Sequence, residues 1–166
     1  MKYLLLAAFT LSLTACFNKT YEIKEFNSHM FSDDSSFIYS HLKCEGGAMQ
    51  TDPYNSVDNE VFRCSDKTNT VYFEIESDGN NSEDLKSATV LWKDWYNELD
   101  PQESETQAKR YIAVFAKLYA KDHQVKLVES FIKKQNSNFK SKTYDITVKA
   151  DKKDFYSVKT ATVKFL

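Results

Sequence analysis

Serine and lysine recur three residues apart at Ser40–Lys43, Ser130–Lys133 and Ser137–Lys140. On a helix that spacing sets an amine beside a hydroxyl, the arrangement that activates a serine nucleophile in some acyl-transfer sites. Such sites also require Ser-Asp-Asn and Lys-Thr-Gly, and the nearest approach here is Lys159-Thr160-Ala161. No Gly-x-Ser-x-Gly is present. In a chain this rich in Ser and Lys the matches read as chance, so no catalytic residue is assigned. His29, His41 and His123 lie far apart and form no His-x-His or His-Glu-x-x-His, which argues against zinc. Asp78, Asn80, Ser82 and Asp84 alternate like the start of a calcium loop. Glu83 and Thr89 stand where that loop needs Gly and Glu, so the segment reads as an acidic turn leading into a helix cap. No cofactor or metal is expected. The densest aromatic cluster is Trp92-Lys93-Asp94-Trp95-Tyr96. Trp and Tyr make binding hot spots and stack on sugar rings, so Trp92, Trp95 and Tyr96 form the candidate binding patch. At helical spacing, though, two such tryptophans more often belong to a core.

The remaining reactive residues are three cysteines, and the first sits at the end of a targeting pattern. Lys2 supplies a short positive region. Leu4 to Ser12 is an apolar run too short to span a bilayer, and Leu13-Thr14-Ala15-Cys16 follows. This ending resembles the lipobox of bacterial lipoproteins. The resemblance covers residues 1–16 and implies cleavage before Cys16, a diacylglyceryl thioether on its sulfur and an acyl group (palmitate or similar) on its amine. Two or more acyl chains anchor stably where one does not. Phe17 stands where an aspartate marks inner-membrane retention in enteric lipoproteins, so the resemblance points to the outer membrane. With Cys16 assigned to lipid, Cys44 and Cys64 are left as an even pair in an oxidising compartment, and a Cys44–Cys64 disulfide is expected. A redox or metal pair would need Cys-x-x-Cys or a nearby His, and neither cysteine has them.

The elements that must position these residues divide into blocks. Phe37 to Cys44 is aromatic and β-branched enough for a strand, broken by Glu45-Gly46-Gly47. Glu60 to Cys64 reads as a second short strand, and Val71, Phe73 and Ile75 alternate with Tyr72, Glu74 and Glu76 as a third. Leu85, Ala88, Trp92, Trp95 and Leu99 recur at helical spacing, although a strand over Ala88–Trp92 also fits. Asp100-Pro101-Gln102-Glu103 opens a helix: Asp as N-cap, Pro at the first position, Glu at the third. Ala108, Tyr111, Ile112, Phe115, Leu118 and Tyr119 form its apolar face. Val125, Val128, Phe131 and Ile132 continue a helical period to Lys133-Lys134. Residues 136–141 read as a polar link, and the alternating runs about Tyr144–Lys149 and Phe155–Leu166 read as a β-hairpin. The segment Tyr39 to Gly47 also resembles the Tyr-x-Cys-x-Gly-Gly strand of membrane-bound C-type lysozyme inhibitors. Extra residues separate Tyr39 from Cys44, and the helical middle departs from that all-β fold, so no inhibitory residues carry over.

Strands and helices in separate blocks predict an α+β fold. Its antiparallel sheet would have about five strands with two or three helices on one face, in the order βββ-αα(α)-ββ. The expected organisation is a signal peptide over 1–15, a lipid-anchored tether over 16–35 and one globular domain over 36–166. Twelve Phe and ten Tyr against three Gly and two Pro argue against a disordered chain. A formal net charge of -2 offers no basic field for nucleic acid. The expected function is therefore a membrane-anchored, non-enzymatic binding module of the cell envelope with a protein or glycan partner. The alternatives are an inhibitor or immunity-type protein, and an enzyme with an unfamiliar site.

Overall fold

The computed structural model describes residues 37–51, 61–78, 81–95, 100–141 and 144–166. The expected signal peptide, tether and Cys16 lie outside the described residues. The chain runs α1 (Phe37–Leu42), β1 (Gly47–Thr51), β2 (Val61–Ser65), β3 (Val71–Asp78) and β4 (Asn81–Trp95). It continues through α2 (Pro101–Tyr119), α3 (Gln124–Ile132), β5 (Ser137–Lys140), β6 (Tyr144–Lys152) and β7 (Tyr156–Phe165). The α+β class with an antiparallel sheet and helices on one face is as expected, but the sheet has seven strands, in the order β1-β2-β3-β4-β7-β6-β5. Two meanders, β1–β4 and β5–β7, meet where β4 pairs β7. The two longer helices form the connection between them.

Period-2 alternation explains the sheet. Phe62 and Cys64, Phe73 and Ile75, Ala88, Val90 and Trp92, Ala161 and Val163, and Ile146 and Val148 are buried on the face that meets the helices. Tyr72, Glu74, Thr89, Leu91, Val158, Thr160 and Thr162 alternate with them on the other face. Antiparallel sheets tolerate one packed and one wet face. Among the described residues no element covers the second face.

Helix α2 starts as expected: the Asp100 carboxylate accepts from the Glu103 amide at 3.0 Å, and Pro101 fills the first turn. Tyr111, Ile112 and Phe115 are fully buried under the sheet, and Phe115 meets Phe73 edge-on at 6.1 Å. Burying each such side chain contributes about 1.5–3 kcal/mol.

Four local expectations are corrected. The Phe37–Cys44 run is a helix over Phe37–Leu42, because Ile38 and Leu42, four residues apart and each 1% exposed, pack one face on the core. Arg110 then caps this helix by donating to the His41 and Leu42 carbonyls at 2.6 and 2.5 Å. Residues 81–95 are strand β4 rather than a capped helix, in line with the alternative strand over Ala88–Trp92, since β3 and β7 hydrogen-bond its two edges. In α3 Val128, Phe131 and Ile132 pack on the core as expected, but Val125 is 71% exposed and Leu127, outside the expected stripe, is buried instead. The expected polar link holds β5, a short edge strand that completes the β6 side.

Cys44 and Cys64 form the expected disulfide, with Cα atoms 5.0 Å apart. It joins the turn after α1 to β2, rather than two strand ends. That turn carries Lys43 and Cys44 at positive φ. It also needs Gly46, because a Cβ there would stand 1.9 Å from the Asp66 carbonyl oxygen.

Candidate functional site

The alternation of β4 splits the expected aromatic patch. Residues three apart on a strand face opposite ways. Trp92 therefore points inward and is 3% exposed, whereas Trp95 points to the open face and is 41% exposed. Tyr96 lies outside the described residues. Trp95 finds a different partner: Tyr156, its register neighbour on β7, with ring centroids 4.6 Å apart. Sequence reasoning missed Tyr156 because its position depends on the β4–β7 register.

From Trp95 and Tyr156 the open face continues along β7. Val158, Thr160, Thr162 and Lys164 follow Tyr156 on the same side. Lys93 stands opposite Val158, and Leu91 and Lys149 flank Thr160. Thr162 lies between Thr89 and Thr147, and the Thr89 and Thr162 hydroxyls are 2.9 Å apart. Tyr72, beside Leu91, lies beneath two cations: Arg63 at 5.2 Å and Lys93 at 5.3 Å from the ring centroid. The result is a surface of aromatic rings, hydroxyls and ammonium groups held by four paired strands, β3, β4, β7 and β6. Such a surface can stack and hydrogen-bond a ligand. It has no nucleophile–base pair.

Behind this face lies a buried charge cluster. Lys159 on β7 is 1% exposed, and its Nζ sits 3.2 Å from the centroid of the Trp92 ring. Asp94 Oδ2 is 3.2 Å from that ammonium, an ion pair without hydrogen-bond alignment. The same oxygen meets Lys134 Nζ at 2.9 Å and accepts from Ser157 Oγ at 3.2 Å. Burial disfavours the Asp94 carboxylate, but Lys134 and Lys159 outweigh it and hold its pKa below the ordinary range. Burial also dominates at Lys159 and pushes its pKa down to about 8 against the pull of Asp94. Trp92 is fixed from behind by Nε1 donating to Ser104 Oγ at 3.0 Å, and Ser104 meets the Thr70 hydroxyl at 3.1 Å. A lysine of lowered pKa is a nucleophile in principle. At 1% exposure this one reaches no substrate; it ties β7 to Trp92 and Asp94 of β4, and Asp94 reaches on to Lys134 just after α3.

The other sequence candidates disperse. Ser40 Oγ donates to the Phe37 carbonyl at 3.0 Å, while Lys133 and Lys140 pair with Glu129 and Asp145 at 3.5 and 3.9 Å. The lysines of the Ser-x-x-Lys matches are thus engaged with carboxylates or, at Lys43, held in the turn. His41 stacks on Phe37 at 4.1 Å and His123 on Phe139 at 5.4 Å, and His29 lies outside the described residues. Among the described residues no three His, Cys, Asp or Glu side chains gather as a metal site. Among them too, no helix is long and apolar enough to cross a membrane. Comparison with protein-family models, with curated proteins and with solved structures found no match.

Proposed function

We propose that this chain is a bacterial envelope lipoprotein, anchored through acyl chains on Cys16. The proposed location is the outer membrane, and the domain is a non-enzymatic binding module. The lipobox-like Leu13-Thr14-Ala15-Cys16 supports the anchor. The binding role rests on one observation: Trp95, 41% exposed and packed against the Tyr156 ring, stands on a sheet face that no described element covers. An exposed tryptophan costs solubility, and in interfaces Trp and Tyr supply much of the binding energy.

Two arms test the reading. Cys16→Ser abolishes incorporation of a fatty-acid probe and leaves uncleaved precursor; labelling equal to the unaltered protein would refute the anchor. For the module, the full-length protein is used as bait on solubilised envelope. Trp95→Ala loses the captured ligand, while Val125→Ala, on the helix side, keeps it. Equal capture by both would remove the open face from the account.

A further inference from the structure

Resting on that reading, we propose that the open face binds a single chain of an anionic polysaccharide, laid along β7. The face is a track. Tyr156, Val158, Thr160, Thr162 and Lys164 lie in line on one side of the strand, a path of about 27 Å at the rise of an antiparallel strand. Trp95 and Tyr156 close one end with two rings in contact, tilted 43° to each other, and a sugar ring can lie on the exposed face of Trp95. The middle is lined by Thr89, Thr147, Thr160 and Thr162, whose hydroxyls both donate and accept, as sugar hydroxyls require.

Charge selects an acidic glycan over a neutral one. On this face Glu74 is paired with Arg63 at 2.5 Å, Glu76 with Lys86 at 2.9 Å and Asp145 with Lys140 at 3.9 Å. Lys93, Lys149 and Lys164 flank or end the track and, among the described residues, have no carboxylate within ion-pair distance; Asp151 is the one unpaired acid beside them. Ammonium groups spaced along a hydroxyl-lined strip match carboxylates or sulfates repeated along a polymer. A lipid surface would favour a continuous apolar middle, whereas here Leu91 and Val158 are set among Thr89, Thr147, Thr160 and Thr162.

Affinity electrophoresis tests this on the full-length protein in non-ionic detergent, with polygalacturonate as the anionic probe and dextran as the neutral one. Polygalacturonate retards the protein, less so as salt is raised, and dextran does not. Trp95→Ala and, separately, Lys149→Glu weaken the retardation roughly tenfold while circular dichroism stays unchanged. No retardation of the folded protein by polygalacturonate overturns the proposal, as does equal retardation by dextran or retention insensitive to both variants. Binding of full-length Cys16→Ser protein to phosphatidylglycerol vesicles that is lost on adding Trp95→Ala, without binding to polygalacturonate, would overturn it in favour of lipid. If polygalacturonate fails while envelope capture still depends on Trp95, the ligand class falls and the binding-module reading stands.

Discussion

Removing either partner of the buried Asp94–Lys159 pair should have opposite consequences. Lys159 is 1% exposed and its pKa is lowered from 10.5 to about 8, so housing the ammonium costs roughly 3 kcal/mol relative to the neutral amine. Lys159→Met keeps the stem over Trp92 and removes that cost. Asp94 is not orphaned, because Lys134 and Ser157 still hold its carboxylate. The variant should be neutral or stabilised by about 1–3 kcal/mol. Asp94→Asn takes away the carboxylate that holds the Lys159 pKa up, so at neutral pH the buried amine sheds its proton and the loss through Lys159 should be capped at about 1–2 kcal/mol. In the double variant most of the loss should return. The sign also fixes the pH dependence. The folded chain holds fewer protons than the unfolded chain between about pH 8 and 10.5, so the Lys159 contribution makes stability rise with pH across that window. Tyr111 and Tyr119, whose pKa values burial raises from 10.0, erode stability only above that value. Urea unfolding followed by tryptophan fluorescence, at neutral pH and again near pH 9.5, measures all of this. A Lys159→Met variant less stable than Asp94→Asn, or one that keeps the rise with pH, would refute the reasoning.

Replacing Cys44 and Cys64 together by Ser should lower stability by up to about 3 kcal/mol with the fold retained, since the closed loop spans 20 residues; urea unfolding under oxidising conditions checks it, and equal midpoints would count against it. Gly46→Ala should cost about 2 kcal/mol or more, because its Cβ would collide with the Asp66 backbone at 1.9 Å; a thermal melt matching the unaltered protein would contradict this. Asp100→Ala should cost about 1 kcal/mol through loss of the cap on the Glu103 amide, visible as a lower urea midpoint with the slope unchanged.

The fold class was legible where local chemistry and tertiary context agree. The Val71–Ile75 alternation is a strand, and Asp100-Pro101-Gln102-Glu103 does start a helix. The two cysteines could be paired by elimination. The misreadings have physical causes. In β4, Leu91 sits on the open face between buried Val90 and Trp92, so apolar residues fall on both parities and imitate a helical stripe. What makes it a strand is pairing with β7, more than 60 residues away at Thr89–Thr162, which no window on the sequence contains. Helix α1 is only six residues long and is held by packing and by Arg110, neither of which leaves a local signal. Half of the candidate site was visible as an aromatic cluster. The face, the Tyr156 partner and the Asp94–Lys159 clamp all depend on register.

The central claim is that the Trp95 face is the working surface of the domain. Site-specific photo-crosslinking in intact cells addresses it most directly, with a benzophenone amino acid placed at residue 95 or, as the control, at residue 125. Val125 is the more exposed of the two, at 71% against 41% for Trp95, but lies on the helix side. The account predicts a discrete higher-mass adduct from residue 95 and none from residue 125. Adducts of equal yield from both, or from residue 125 alone, would contradict it.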